Sequence, residues 1–213
     1  KLKHFNQLEI NDRIVTTGAG TTLAKISRLC ESQGLNGAEF LSAIPGNAGG
    51  ALAMNAGAFG SEIWQFVSSV TTINTQGMVF ERIPIDFDTS YRQVLANNNN
   101  EYFIAASFKF DQIEKQKNIK ALLEQRNISQ PIGEATCGSV FKNPKNHHAA
   151  QLIEDSNLKG FCIGGACVSD KHANFIINQN DASATDIEKL ILHIQQTVKS
   201  KSDIDLETEV VII

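Results

Sequence analysis

Apolar residues recur at helical spacing in two stretches of the chain and alternate at strand spacing in several others. Between residues 183 and 199, Ile187, Leu190, Ile191, Ile194 and Val198 form one stripe at steps of three and four, which predicts a helix. Ser183 before it and Asp186 three residues on give the reciprocal pattern of a capping box. Leu23, Ile26, Leu29 and Cys30 make a shorter stripe, with Thr21 or Thr22 as N-cap and Gly34 as the residue past its end. Residues 66–74 and 78–83 alternate around Gln76-Gly77 and predict a hairpin. Further strands are expected at 14–17 and 102–110, with a turn at Gly18-Ala19-Gly20.

The rest of the pattern is less regular. A short helix is expected over 50–56 with a stop at Gly57, irregular chain over 84–91, and a polar turn over 97–100. Asp111 is placed to cap a helix running to about residue 125, and a domain boundary is expected near residue 112. Beyond it come a loop over 130–138, a helix over 149–155, and two strands at 161–163 and 173–178 interrupted by Gly164-Gly165-Ala166. The apolar run 210–213 reads as a final strand buried on both faces.

Composition narrows the class. Of 213 residues, 42% are hydrophobic and 20% charged, which is a globular rather than a disordered balance. The net charge of −4, without any Lys/Arg run, gives no basic stripe, so no nucleic-acid partner is expected. No apolar stretch approaches the ~18 residues of a membrane helix, so no membrane association is expected. The opening residues 1–7 are polar, unlike a secretory signal. Cys30, Cys137, Cys162 and Cys167 lack paired metal spacing, so no metal is expected. They read as reduced, mostly buried thiols, which points to the cytoplasm.

Three segments carry candidate chemistry. The first is Ile44-Pro45-Gly46-Asn47-Ala48-Gly49-Gly50-Ala51, continued by Asn55-Ala56-Gly57-Ala58-Phe59-Gly60. Missing Cβ atoms let backbone N–H groups approach an anion, and a helix opening at Gly49-Gly50 adds its dipole. Neither a Walker lysine nor a strand-borne dinucleotide pattern accompanies it, and a tight turn with close helix packing fits equally well. The second is Gly138-Ser139-Val140-Phe141-Lys142-Asn143-Pro144. Phe141 rules out a nucleophile elbow, but a rigidly held serine can protonate a carbanion; a turn or cap role is the commoner one for a loop serine. His147-His148 reads first as a solvated pair. The third is Leu206-Glu207-Thr208-Glu209-Val210, where Glu209 enters an apolar run and must be paired, neutralised, working, or exposed at an edge. Arg92 can fork onto a substrate carboxylate or pair with Asp86 or Asp88.

Taken in order along nearly the whole chain, these segments resemble the UDP-N-acetylenolpyruvoylglucosamine reductase (MurB) family of flavoenzymes. Tyr91-Arg92, Leu158-Lys159-Gly160, Gly164-Gly165-Ala166 and the run from Lys171 to Asn178 match as well. The resemblance implies an α+β chain: the second half of a two-subdomain, PCMH-like FAD-binding fold over 1–112, then a small substrate-binding domain over 113–213. It implies FAD and NADPH as cofactors and a monomer acting on UDP-N-acetylglucosamine enolpyruvate. By the same carry-over, Ser139 is the proton donor, and Arg92 with Glu209 polarises the substrate carboxylate and stabilises the enol intermediate. Ile44, Pro45, Gly46, Asn47, Gly49, Gly50, Asn55, Ala56 and Gly57 lie along the flavin. Tyr91, Lys142, Asn143, Lys159 and His172 fall at substrate-contact positions.

Two departures shape the expectation. About forty-five residues separate Arg92 from Ser139, which is similar to the family's shorter type, without the inserted tyrosine loop. No Gly-Gly-Gly-Ser-Asn loop precedes Ile44, so the chain is expected to be N-terminally truncated and impaired in FAD binding. The alternatives are another flavin oxidoreductase of the same FAD-binding fold and a non-catalytic nucleotide-binding module.

Overall fold

The computed structural model describes residues 4–96, 100–112 and 118–212. It divides into two compact units, residues 1–124 and 125–213. Residues 97–99 of the turn expected over 97–100, and residues 113–117 at the opening of the helix expected after Asp111, lie outside the described residues.

In the first unit, β1 (Leu8–Asn11), β2 (Ile14–Gly18), β5 (Val67–Asn74), β6 (Val79–Arg82) and β9 (Glu101–Lys109) form one antiparallel sheet in the order β1-β2-β9-β5-β6. One face of this sheet is buried. Val15 and Thr17 of β2, Val70 and Thr72 of β5, and Ala106 and Phe108 of β9 point inward at the two-residue period of a strand. Helix α1 (Leu23–Ser32) covers that face with Leu23, Ile26 and Cys30; Ser27 is buried there, while Leu29 is only partly covered. Gly34 takes a left-handed φ of 70° just past the helix end, as expected. Aromatic rings close the core in two groups, Phe40–Phe66–Phe110–Phe108 and Trp64–Phe87–Phe103. Contacts of this kind are worth about 0.5–1.5 kcal/mol per pair beyond the area they bury.

The structure corrects two expectations here. The short helix is α2 (Ala48–Ala53), earlier than expected, and it stops before Gly57 because Asn55 adopts a φ of 43°. Asparagine tolerates that conformation, so no glycine is needed at the stop. Gly57 instead opens β3 (Gly57–Ala58), paired with β4 (Ser61–Glu62). The second correction concerns residues 84–91. After one 3-10 turn they form β7 (Phe87–Ser90), paired with β8 (Gln93–Ala96), with Tyr91-Arg92 as the two-residue loop.

Helix α3 (Ile119–Ser129) crosses the division between the units. The second unit holds α4 (Ala149–Asp155), a sheet of β10 (Cys162–Ile163), β11 (Ala166–Val168) and β12 (Ile176–Asn178), and α5 (Ala184–Ser202). In α5 the Asp186 N–H donates to Ser183 Oγ at 3.1 Å, and Ser183 N–H donates back to the Asp186 carboxylate at 3.0 Å. Its buried stripe is Leu190, Ile191, Ile194 and Val198, with Ile187 partly covered. Each such side chain contributes about 1.5–3 kcal/mol by leaving water.

Three readings change in this unit. The interrupting segment Gly164-Gly165-Ala166 leads into a strand of its own, β11, so three strands replace the expected two. Both glycines have a steric reason. A Cβ on Gly164 would meet the Asp186 carboxylate at 2.5 Å, and one on Gly165 would meet the Asn180 carbonyl at 2.5 Å. Cys162 stands opposite Cys167 in the β10–β11 register and the two form a disulfide, against the expectation of four reduced thiols. Cys30 is a buried thiol whose pKa burial pushes up to about 12, and Cys137 is free but exposed. The cysteine argument for the cytoplasm therefore loses two of its four residues. Finally, residues 210–212 of the strand expected over 210–213 are not a strand, and Ile213 lies outside the described residues. Val211 is 79% and Ile212 56% exposed, because the pairing ends with the Glu209 and Val210 N–H groups on the Val140 carbonyl.

Candidate functional site

The glycine-rich segment resolves into two parts with different physical roles. At Gly49 the missing Cβ is a packing requirement, since a Cβ there would lie 2.9 Å from that of Ala19. The amide N–H groups of Ala48 and Gly49 donate to the carbonyls of Thr21 and Ala19, both at 2.9 Å. Those two groups at the opening of α2 serve the fold, not an anion. Gly46 and Gly50 differ, for a Cβ at either would meet open space. Gly49 and Gly50 line a cavity of about 430 Å³ together with Ala53, Phe87, Val94 and Phe103. Its size lies in the range of small-molecule sites, and its lining is mainly small, apolar and aromatic, which suits a planar ring system such as a flavin. Thr72 and Glu101 add polar groups to its lining. Hydrogen bonds from Arg82, then Thr72, hold the Glu101 carboxyl below the usual carboxylate range.

Arg92 and Asn55 are built into one another. The Arg92 guanidinium donates to the carbonyls of Asn55 at 3.3 Å and Gly57 at 3.2 Å, and lies 5.0 Å over the Tyr91 ring. Asn55 is buried; its amide nitrogen donates to Glu62 Oε2 at 2.8 Å and to the Ser90 carbonyl at 3.0 Å. The tip of the β7–β8 hairpin is thus fastened to the end of α2, and the half-buried Arg92, at a φ of 56°, is fixed on it. Ile44 packs on the core and Ala56 beside it, while Pro45, Gly46 and Asn47 are exposed.

In the second unit the structure brings Ser139 and Glu209 onto adjacent segments. The Glu209 N–H donates at 2.8 Å to the carbonyl of Val140, the residue directly after Ser139. Lys142 N–H donates to the Glu207 carbonyl at 2.9 Å, and Phe141 bridges Thr208. On its other edge the serine segment pairs with Phe175. Val140 and Phe141 are buried anchors, whereas Ser139 and Glu209 are only partly covered.

The expected substrate contacts are placed less uniformly. Lys142 is ion-paired with Glu207 and Lys159 with Glu154 at 2.8 Å. Asn143 Oδ1 accepts from the Ala149 N–H at 3.0 Å and so caps α4. His172 Nδ1 accepts from the Asn174 N–H at 3.3 Å, and its ring meets Phe175 edge-on. Burial, with the Lys159 ammonium adding to it, holds the His172 pKa below its ordinary value. His147 and His148 are exposed. A second cavity, of about 650 Å³, is walled by Val140, Ile176, Ile187 and Ile191 but by neither Ser139 nor Glu209.

The sequence reading missed Phe87, Val94 and Phe103 as cavity walls. The alternation of Phe87 and Thr89 before Tyr91-Arg92, and of Val94 and Ala96 after it, was the available signal.

Comparisons with known proteins agree with this architecture. Residues 1–82 match a family model described as FAD binding domain, and residues 130–213 match one described as UDP-N-acetylenolpyruvoylglucosamine reductase, C-terminal domain. The chain is 51% identical over 203 residues to UDP-N-acetylenolpyruvoylglucosamine reductase of Coxiella burnetii, covering 94% of this chain and 64% of that protein. It is 47% identical over 212 residues to the protein of the same name in Alkalilimnicola ehrlichii, covering 98% of this chain and 71% of the relative. The crystal structure of UDP-N-acetylenolpyruvylglucosamine reductase (MurB) from Thermus caldophilus superposes with a TM-score of 0.77 at 28% identity, over 91% of this chain and 70% of that one. Among the described residues, no helix is long and apolar enough to cross a membrane.

Proposed function

The chain belongs to the UDP-N-acetylenolpyruvoylglucosamine reductase family, and from that premise we propose that it carries the flavin-side and substrate-side elements of a monomeric reductase that converts UDP-N-acetylglucosamine enolpyruvate to UDP-N-acetylmuramate. FAD, recharged by NADPH, supplies the hydride when bound. The open backbone at Gly46 and Gly50 and the apolar cavity behind Gly50 are what fit a flavin. The reaction adds two hydrogens across the enolpyruvyl double bond. Hydride would bond to one carbon with its own electron pair, the π pair of the double bond would move into the carboxylate-conjugated enolate, and a proton from Ser139 Oγ would close the other carbon. The serine is then reprotonated from solvent. Arg92 polarises the substrate carboxylate and Glu209 stabilises the enol form, electrostatic tasks that gain from a dry setting. Tyr91, Lys142, Asn143, Lys159 and His172 are the proposed substrate-side residues.

The observation that carries this reading is the Glu209 N–H bound to the Val140 carbonyl. It supports the reading by holding the backbone of the proposed enol-stabilising residue against the residue that follows the proposed proton donor. The test is NADPH consumption by the FAD-supplemented protein, with and without the enolpyruvyl nucleotide, and a mass spectrum of the product. Substrate-dependent turnover with a gain of two hydrogens supports the proposal; bound flavin that never reoxidises when substrate is added overturns it, and weak flavin retention is the outcome expected of a chain impaired in FAD binding. Light scattering at one chain mass tests the monomer.

A further inference from the structure

We infer that Asn174 is a positioning residue for Ser139, an inference that rests on the proposed proton transfer. Ser139 follows Gly138, which has a φ of 90°; in the loop before it the Gly138 N–H donates to Thr136 Oγ1 at 3.3 Å and the Ala135 carbonyl accepts from the Asn178 N–H at 2.8 Å. Ser139 itself bridges Phe175, and the residues directly after it add a second set of restraints. Phe141 faces Thr208 in an antiparallel bridge whose hydrogen bonds belong to its neighbours, Val140 and Lys142. In such a ladder the Phe141 N–H and carbonyl must point to the opposite edge. There they meet a side chain. Asn174 Oδ1 accepts from the Phe141 N–H at 3.0 Å, and Asn174 Nδ2 donates to the Phe141 carbonyl at 2.8 Å. The Asn174 backbone carbonyl accepts the Val140 N–H at 2.9 Å.

One residue thus holds the three peptide units that follow Ser139, and for two of them its side chain does what a neighbouring strand does with its backbone. A carboxamide suits the task because it carries donor and acceptor on separate atoms of one planar group. Asn174 is 4% exposed and Phe141 1%, so neither backbone group has water to fall back on. With Glu209 fastened to the other side of Val140, the serine segment is gripped on both edges. Loss of one grip moves the hydroxyl by rotating its segment, without touching the serine itself.

The experiment compares wild type, Asn174→Ala, Asn174→Ser, Asn174→Asp and Ser139→Ala in the FAD-loaded protein, following the two half-reactions separately by flavin absorbance. The expected result for Asn174→Ala is flavin reoxidation by the enolpyruvyl nucleotide slowed about 10–100-fold at saturating substrate. Bleaching by NADPH stays within about twofold, and the solvent deuterium isotope effect on reoxidation rises. Asn174→Asp keeps one acceptor but turns its second oxygen on the Phe141 carbonyl and buries a charge, so it slows reoxidation at least as much as alanine. Asn174→Ser, which leaves a hydroxyl in place of the carboxamide, falls between wild type and alanine and carries the test if the alanine variant does not fold. Added to Ser139→Ala, the substitution costs nothing further. Equal slowing of both half-reactions, an unchanged isotope effect, or a loss that multiplies with that of Ser139→Ala overturns the inference while leaving the reductase reading intact. A wild-type flavin that the substrate never reoxidises overturns both.

Discussion

The two units hold their proposed functional residues in opposite ways. In the first, Arg92 stands on a hairpin whose own backbone ladder is complete, and it reaches across to carbonyls at the end of a helix. In the second, Ser139 and Glu209 lie on segments joined by single bridges, and buried anchors on either side supply the order. A complete ladder tolerates the loss of one side-chain contact, whereas an incomplete one passes the loss directly to the reactive group. Rigidity at a site comes from how each backbone group is satisfied, and regular secondary structure is only one means to that end.

That contrast is tested most sharply by removing a reactive group that bears no structural load. Ser139→Ala should lower the rate of product formation by about 10²–10⁴-fold, the usual range for losing a proton-transfer group, with the melting temperature unchanged. A drop in melting temperature alongside the rate would show the serine to be a turn-former, erasing the difference between anchor and reactive group. The next effect is on stability alone. Ile194→Ala should cost about 2–5 kcal/mol in the second unit, read as faster amide exchange along α5, because the side chain is wholly enclosed.

Asn55→Ala probes the first unit and should cost about 1–3 kcal/mol in denaturant unfolding, since it strands the Trp64 N–H and a bonded carboxylate. It should also loosen Arg92, so an unchanged dependence of rate on substrate carboxylate analogues would count against the fastening described here. The smallest effect concerns pH. The His172 pKa is depressed on folding, so the unfolded chain binds more protons once pH falls through the ordinary value near 6.5. The second unit should therefore be most stable above about pH 6.5 and lose stability as pH falls toward the folded pKa; His172→Gln should flatten that slope.

Much of this was legible before any coordinates. The α5 stripe and its capping box, the β5–β6 hairpin and α4 are local patterns, and local patterns survive into the fold. The glycine segment was ambiguous for a physical reason: one glycine in it serves packing and another stands open, and a sequence does not distinguish the two. The β7–β8 hairpin escaped notice because its turn is Tyr91-Arg92, where a glycine or asparagine is the usual signal for positive φ. The Cys162–Cys167 pairing depended on β11, and the apolar run 210–212 read as buried because burial is a property of neighbours that the run itself does not name. Asn174 lay within the matched run from Lys171 to Asn178, but its proposed role lies in two side-chain bonds to a residue 33 positions away, which no local pattern reports.

Trp64 is the protein's single tryptophan, and it lies in the first unit with its indole N–H bonded to the Leu52 carbonyl at 2.8 Å. Its ring stacks obliquely on Phe87 at 4.7 Å and meets Phe103 edge-on at 5.9 Å, and those two phenylalanines are walls of the flavin-sized cavity. The molecule therefore carries its own optical reporter. Emission from this one indole reads the state of the first unit, and a yellow chromophore entering the cavity would quench it by resonance energy transfer without any label. Titrating FAD against that emission gives a dissociation constant from the native chain.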